Sequence, residues 1–246
     1  MRVGVLGGTF DPPHVAHLIL AEVARSQLSL ERVIFVPAGN PWRKQRGKVT
    51  AAAHRLAMVR LALVSDPHFE VSEVELQRAG PSYTVETLSA LKEHLGPACD
   101  LYFVLGEDAL HDLPSWKEPR RIVELAWLAV APRPTRPAPV ESSARRPRPP
   151  GLVTKALAEA VPGITQRVIA LDMPAVDISA TALRERARAG GSLRYLVPLS
   201  VEEYIRRHGL YSPAADVPRP RPSSAGRSGG GPPGGPPRRP PPARSG

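Results

Sequence analysis

Two histidines three residues apart are the first side chains in this sequence whose types and spacing could do chemistry. They are His14 and His17 in VGVLGGTFDPPHVAHLILAE, which runs from an apolar strand through two glycines and an Asp-Pro-Pro turn into a helix. Residues at this spacing share one face of a helix, so the two rings point the same way. Paired imidazoles can ligate a metal, transfer a proton or donate hydrogen bonds to phosphate oxygens.

The neighbouring residues favour phosphate binding and leave the other two chemistries open. Zinc would need further ligands, yet the chain lacks an H-E-x-x-H motif, and Cys99 is its only cysteine. Gly7 and Gly8 end the strand, where we expect them to allow unusual φ values and the close approach of a ligand. A helix starting after them, with Asp11 as its N-cap, would offer free N–H groups and a positive dipole to an anion.

Short apolar runs alternate with helical patterns along residues 1–211, which we predict to form one domain. Strands are predicted at 2–8, 32–38, 69–76, 101–107, 127–133 and 167–174, and helices at 14–28, 51–64, 84–94, 152–160, 180–189 and 201–208, the last ended by Gly209. This alternation is typical of an α/β fold with a doubly wound, mostly parallel sheet and helices on both faces. Ligands bind such folds at the carboxyl ends of the strands, where GGTFDPPH, PAGNPWRK and GEDAL lie.

Half of the net charge lies in a C-terminal segment without apolar periodicity. The chain has a formal net charge of +10, and residues 212–246 hold six arginines against one acid, which contributes +5. This Pro/Gly/Arg-rich composition cannot bury enough surface to offset the entropy of ordering, so we predict a disordered tail. Residues 132–151, also rich in Pro and Arg, are predicted to form a surface loop. The basic charge keeps a nucleic-acid-binding protein open as an alternative function.

Composition also predicts the compartment. A single cysteine allows no intramolecular disulfide, which favours a reducing environment. No apolar run approaches the ~18–20 residues that a membrane span needs. The first residues, MRVGVLGG, lack the layout of a signal peptide. We therefore expect a cytoplasmic protein that does not enter a membrane.

The glycine turn and the histidine pair resemble the signature of the nucleotidylyltransferase superfamily, a glycine turn followed by H-x-G-H. Here the motif reads GGTFDPPHVAH, with Ala16 where glycine is usual. Within the superfamily, the chain is similar to the bacterial nicotinate-nucleotide adenylyltransferases. The likeness is carried, in order, by GGTFDPPH, VPAGNPWRK, HRLAMVRLA, PSYTVETL, GEDAL with LPSWKE, ISATALR and VPLSVEEYIRRHGLY. It implies a Rossmann-like fold.

The resemblance also implies a role for each matching residue. The phosphates would be neutralised by His14, His17, Lys44 and Arg184. ATP would contact Gly7, Gly8, Thr9, Phe10, Ser179, Thr181 and Asp108, the last through its ribose or through magnesium. The acceptor's nicotinate ring would be held by backbone N–H groups at Tyr83 and Thr84 and would stack on Trp116. Ala180 replaces the middle serine of the I-S-S-T-x-x-R pattern, which removes one hydroxyl donor.

Each of these residues also has a plainer interpretation. Taken alone, Ser179 is an N-cap, Trp116 packs in a core, and Arg43 with Lys44 forms a solvated basic loop. The resemblance implies instead that AMP passes from ATP to nicotinate mononucleotide, giving nicotinate adenine dinucleotide and pyrophosphate for NAD biosynthesis. Mg²⁺ would bridge phosphate oxygens, and an ionised acceptor phosphate would need no strong general base. Nicotinamide mononucleotide as acceptor, weak binding of nucleic acid by the tail and a homo-oligomer stay open.

Overall fold

The computed structural model describes residues 1–40, 49–132 and 151–212, and their centre is one parallel sheet. The strands are β1 (Arg2–Gly8), β2 (Arg32–Pro37), β3 (Phe69–Val71), β4 (Asp100–Gly106), β5 (Ala126–Ala131) and β6 (Val168–Ala170). They lie in the order β3-β2-β1-β4-β5-β6, and every neighbouring pair is parallel. The winding reverses between β1 and β4, which confirms the predicted doubly wound, Rossmann-like sheet.

Helices cover both faces of the sheet. They are α1 (Val15–Leu28), α2 (Ala52–Leu63), α3 (Thr84–Leu95), α4 (Glu107–Asp112), α5 (Pro119–Leu125), α6 (Lys155–Ala160), α7 (Ala180–Arg188) and α8 (Leu199–Arg207). Alternate strand residues point to opposite faces. Thus Val5 packs in the core beneath α3 and α5, whereas Phe35 packs in the core beneath α1 and α2. In the described part of the chain, no helix is long and apolar enough to span a membrane.

Two predicted strands are shorter than the sequence suggested, and two helices were missed. β3 ends at Val71 rather than residue 76, because the chain turns there and the Leu76 N–H donates to the Glu73 carbonyl at 2.8 Å. The edge strand β6 likewise covers only Val168–Ala170. Acidic residues in the first turn of α4 and a proline at the start of α5 were the available signals for the missed helices.

The last two helices pack against α2 through a separate apolar cluster that includes Met58, Leu183 and Ile205. Gly209 ends α8 with φ of +60°, as predicted. The Leu210 N–H bonds to the Ile205 carbonyl at 3.0 Å and the Gly209 N–H to the Arg206 carbonyl at 3.3 Å, which is a Schellman ending. The predicted tail and all but the ends of the predicted 132–151 loop lie outside the described residues.

Candidate active site

A cleft lies against β1, β2 and β4, on the side of the sheet where the strands end and the winding reverses. The empty space of the cleft is about 800 Å³ when the open solvent at its mouth is included. Gly7, Gly8 and Thr9 form one wall, and Thr84 and Trp116 belong to another. The turn that leads from β1 toward the two histidines is therefore also a wall of the cleft.

The glycine pair works by leaving space rather than by unusual dihedrals. Neither Gly7 nor Gly8 has a positive φ, so the expectation of unusual φ values was wrong. A Cβ at Gly8 would lie 3.0 Å from the Phe10 ring, so any larger residue would require this ring to shift by a few tenths of an ångström. A Cβ at Gly7 would come no closer than 3.8 Å to Phe103, so its absence simply keeps this side of the cleft open.

His14 and His17 stack at the start of α1, with ring centroids 3.7 Å apart. His17 Nδ1 accepts a hydrogen bond from the His14 backbone N–H at 3.1 Å. Because Nδ1 is the acceptor, a neutral His17 ring carries its proton on Nε2 and can donate it elsewhere. The Phe10 ring, itself buried with φ of +49°, contacts the His17 ring edge-on at 5.0 Å and supports it from below.

His14 is the more buried of the two rings. It is 6% exposed, and within the described residues its Nδ1 atom is buried without a hydrogen-bond partner. Burial lowers the pKa of His14 to about 4, so the ring is neutral at pH 7. In the absence of an anion, this histidine therefore contributes an oriented hydrogen-bonding group rather than a positive charge.

The helix start itself is less open than the sequence suggested. His14, not Asp11, is the N-cap of α1, so that prediction was wrong. The Val15 N–H donates to the Leu196 carbonyl at 3.0 Å, and the His17 N–H to the His14 carbonyl at 2.9 Å. Since these donors are already engaged, any anion beside α1 depends mainly on imidazole groups and on the helix dipole.

Asp11 connects the loop after β1 to three distant parts of the chain. Its buried carboxylate accepts hydrogen bonds from the Tyr211 hydroxyl at 2.6 Å and from the Thr50 backbone N–H at 3.1 Å. Its backbone carbonyl accepts from Arg184 Nη1 at 2.8 Å. Burial of the hydroxyl, together with its hydrogen bond to Asp11, raises the pKa of Tyr211. Asp11 therefore fixes the histidine loop relative to α7 and to the end of the folded chain.

A buried arginine on α2 supports the same loops from beneath. Arg55 is 1% exposed. It donates to the carbonyls of Thr9 at 2.9 Å, Thr50 at 2.9 Å and Ala38 at 2.7 Å. Burial lowers its pKa, and the nearby charge of Asp11 opposes that shift. A guanidinium with several carbonyl acceptors holds the ends of β1 and β2 in one arrangement.

The start of α7 brings Arg184 to the histidine loop. The Ser179 hydroxyl accepts from the Ala182 N–H at 3.2 Å, so this serine caps the helix. Thr181 is exposed, and its hydroxyl accepts from Arg184 Nη2 at 3.3 Å. Because Arg184 also binds the Asp11 carbonyl, its guanidinium is held at the edge of this loop on two sides.

The opposite wall is built around the start of α3. Tyr83 is the N-cap, and its carbonyl accepts the N–H groups of Glu86 and Thr87. Its ring packs toward the core and lies under Lys117 Nζ, 4.7 Å from the ring centroid, and Tyr83 does not line the cleft. Thr84 and Trp116 do line the cleft. Trp116 Nε1 is buried and finds no partner among the described residues.

The remaining predicted residues are less closely joined to the cleft. Asp108 is exposed in the first turn of α4 and does not line the cleft. Lys44 and Arg43 lie outside the described residues. Within the ranges 1–40, 49–132 and 151–212, no group of three or more His, Cys, Asp or Glu side chains could hold a metal ion. The site therefore offers hydrogen-bond donors rather than a ligand cage.

Sequence reasoning missed four residues that shape the site: Arg55, Tyr211, Ser82 and Glu75. The Ser82 hydroxyl accepts the N–H groups of Gly39 and Asn40, both at 3.1 Å, and so joins the α3 wall to the loop after β2. Arg55 lies in the apolar stretch of α2, but the same helix carries the exposed Arg60, so no sequence signal distinguished the buried arginine.

Comparison with known proteins first gives the class. The family model described as cytidylyltransferase-like matches residues 5–186, the span from β1 into α7 that carries the histidines and Arg184. Two relatives share the name "Probable nicotinate-nucleotide adenylyltransferase". The one from Thermomicrobium roseum is 46% identical over 226 residues, 92% of this chain and 99% of the relative. The one from Roseiflexus sp. is 44% identical over 209 residues, 85% and 97% of the two chains. The chain belongs to the nicotinate-nucleotide adenylyltransferase family.

A solved structure supports the fold independently. The nicotinic acid mononucleotide adenylyltransferase of Plasmodium falciparum, complexed with NaAD, superposes with a TM-score of 0.65 at 17% identity. The match covers 85% of this chain and 97% of that one. At this identity the likeness concerns the fold alone, and it agrees with the parallel sheet and its helices.

Proposed function

We propose that the protein transfers AMP from ATP to nicotinate mononucleotide, with release of pyrophosphate and formation of nicotinate adenine dinucleotide. The observation that carries this proposal is the shared wall formed by Gly7, Gly8 and Thr9. The same turn lines the cleft that holds Trp116 and leads into the helix that begins after His14. An acceptor in the cleft and a triphosphate beside the histidines would meet at this turn.

The two sides of the turn suit the two substrates. We call His14, His17, Asp11 and Arg184 the phosphate side, because the imidazoles and the guanidinium can donate to a triphosphate and Asp11 holds Arg184 beside them. We call Thr84, Trp116 and Glu75 the acceptor side, because they belong to the largely apolar cleft. ATP would also contact Ser179 and Thr181 at the start of α7. Lys44, which lies outside the described residues, stays a predicted contact to the phosphates.

The chain's own residues act by orientation and charge stabilisation. The acceptor phosphate is ionised near neutral pH and attacks the α-phosphorus of ATP in line, so no base is required. His17 Nε2–H and the Arg184 guanidinium donate to oxygens whose negative charge grows as pyrophosphate leaves. Asp11 holds Arg184 in place, and Arg55 holds the loop that carries Asp11 and both histidines.

Reactions of ATP generally use a divalent cation, and we assign Mg²⁺ to this role. The described residues contain no metal-binding cluster, so the cation would be bound by phosphate oxygens and water, as Mg²⁺ prefers. It would neutralise charge on the leaving pyrophosphate. The exposed Asp108 remains a candidate contact for this cation or for the ribose of ATP.

Nicotinate is favoured over nicotinamide by the start of α3. The Thr84 backbone N–H lies at the first helical position, where the dipole and the N–H groups attract an anionic carboxylate. The indole face of Trp116 offers a stacking surface to either ring.

The test is a pyrophosphate-release assay with ATP, MgCl₂ and one acceptor at a time. Nicotinate mononucleotide is expected to give rapid release, nicotinamide mononucleotide slow release, and phosphopantetheine none. Turnover with phosphopantetheine alone would contradict the acceptor assignment, and no release with any acceptor would contradict the proposed activity. The cytoplasmic location, the homo-oligomer and the weak binding of nucleic acid by the tail stay predictions.

A further inference from the structure

Glu75 is an acidic side chain that the proposed reaction does not yet use. It lines the cleft, although the side chain is only 9% exposed. Its Oε1 atom accepts a hydrogen bond from the Thr87 hydroxyl at 2.7 Å. A buried carboxylate with a single neutral donor is costly unless a positive group compensates it.

Of the neighbouring basic residues, the buried Arg55 attracts Glu75 electrostatically, although its guanidinium donates to backbone carbonyls, and Arg78 acts only indirectly. Arg78 Nη2 donates to the Thr87 hydroxyl at 3.3 Å and so reaches Glu75 only through that hydroxyl. Its ion-pair partner is Glu86, at 3.4 Å, which also pairs with Lys117 at 2.7 Å. Among the described residues, no lysine or arginine forms an ion pair with Glu75.

The position of Glu75 is fixed by its backbone. A Cβ at Gly39 would lie 2.1 Å from the Glu75 carbonyl oxygen, so the two chain segments touch at a point where only glycine fits. Thr87 lies one helical turn after Thr84 and also lines the cleft. Glu75 therefore faces the same space as the start of α3 and Trp116.

We propose that Glu75 recognises the positive charge of the acceptor's pyridinium ring. This inference rests on the proposed function. The ring nitrogen of a nicotinate mononucleotide is bonded to ribose and carries a full positive charge, while the ring carboxylate is negative. The start of α3 takes the carboxylate, and Glu75 together with the Trp116 face stabilises the cationic ring.

This arrangement explains why the wall has an anion-binding helix start and a carboxylate so close together. A wall with only N–H donors would bind any aromatic acid. A wall that adds a negative charge favours a ring that is itself positive. The start of α3 and Glu75 together therefore recognise both charges of a zwitterionic acceptor. Glu75 is thus a specificity-determining residue on the acceptor side.

The test compares nicotinate mononucleotide with its phenyl isostere, in which a ring carbon replaces the pyridinium nitrogen. The two acceptors share a shape and a carboxylate and differ by one positive charge. Wild-type protein is expected to prefer the pyridinium acceptor by more than tenfold in kcat/KM. Glu75→Gln, which keeps an oxygen for the Thr87 hydroxyl, should reduce this preference about tenfold, as one nearby charge predicts. KM for ATP should stay unchanged.

Controls separate charge from structure. Glu75→Asp keeps the charge and should retain most of the preference. Glu73→Gln makes the same chemical change on the same segment, at a carboxylate that pairs with Arg60, and should leave the preference unchanged. Equal use of the two acceptors by wild type would overturn the inference without any variant. An unchanged preference in Glu75→Gln would overturn it too and leave the adenylyltransferase standing. Failure of both acceptors would overturn the proposed function and the inference together.

Discussion

The phosphate side is held together by more polar links than the acceptor side, although His14 Nδ1 has no partner among the described residues. Asp11 alone engages Tyr211, Thr50 and Arg184. On the acceptor side of the described chain, the Glu75 carboxylate accepts from Thr87, and Trp116 Nε1 is buried without a partner. Interlinked polar groups keep their geometry while charge develops on a phosphate, which is what phosphoryl chemistry requires.

The contrast suggests a division of labour. The phosphate side should control rate, because its contacts strengthen as charge grows in the transition state. The acceptor side should control selection, because polar groups left unpaired by a wrong ligand penalise that ligand. Each of the following changes tests one part of this division.

The largest effect is expected at His17. The substitution His17→Asn removes the Nε2–H and should lower kcat by about 10²–10³-fold, because the loss of one preorganised donor to a developing oxyanion typically has an effect of that size. Asn keeps an acceptor near the position of Nδ1 for the His14 N–H, so the loop should stay folded. KM for ATP should change far less than kcat. Steady-state kinetics with ATP varied measure both constants.

Two further variants test whether the loss of kcat comes from the missing donor. His17→Gln, which presents a donor near the position of Nε2, should recover part of the lost kcat. His94→Ala removes a histidine from the last turn of α3 and should leave kcat unchanged. If His17→Asn turns over as fast as wild type, His17 serves only as a cap for the helix and the phosphate side does not set the rate through it.

The acceptor side should separate nicotinate from nicotinamide mononucleotide. We expect kcat/KM to favour nicotinate by roughly 10²-fold, or about 3 kcal/mol, because the amide presents its NH₂ to the N–H groups at Thr84. Trp116→Ala should weaken both acceptors and keep most of this ratio, since stacking serves both rings. Equal turnover of the two acceptors by the wild type would contradict the preference for nicotinate and leave the adenylyltransferase activity intact.

The sequence predicted the order of strands and helices well because continuous apolar runs and terminal glycines are local signals. Of the residues that line the cleft, it singled out Gly7, Gly8, Thr9, Thr84 and Trp116. It misjudged Asp11 because capping geometry and a tertiary role look alike in sequence. The contacts of Asp11 with Tyr211 and Arg184 join residues about 200 and 173 positions apart, as no local pattern can predict.

Glu75 was missed for a related reason. It was assigned to the predicted strand FEVSEVEL, in which the polar residues that alternate with apolar ones would face solvent. The strand instead ends at Val71, and the turn that follows buries Glu75 in the cleft wall. The close contact with Gly39 that decides this path is visible only in three dimensions.

A smaller effect concerns pH. The folded protein lowers the pKa of His14 to about 4 from an ordinary value of 6.5, so the unfolded chain binds this proton more readily. The stabilising contribution is present above pH 6.5 and is lost as the pH falls toward 4. When the pH is lowered from about 7.5 to about 5, the contribution of this histidine should reduce the free energy of unfolding by about 2 kcal/mol. Urea unfolding of wild type and His14→Gln at both values measures it.

The comparison of the two proteins isolates the histidine from other titrating groups. Wild type should lose about 2 kcal/mol more than His14→Gln over that interval. Parallel pH dependences would mean that His14 is not held neutral by burial, and the phosphate side would then be charged before ATP binds.

The smallest effect is expected from removing residues 212–246. Their composition predicts no contribution to the core, and the described chain ends just beyond Tyr211, whose hydroxyl lies 2.6 Å from Asp11 Oδ1. Truncation after Tyr211 should therefore leave both the melting temperature and kcat/KM close to those of wild type. Truncation after Gly209 is the matched control: it removes the tyrosine, leaves a buried Asp11 oxygen without its donor and should cost about 1–3 kcal/mol of stability. A large loss from the first cut would mean that the tail itself supports the site. Equal losses from both cuts would mean that the hydrogen bond from Tyr211 to Asp11 does not support it.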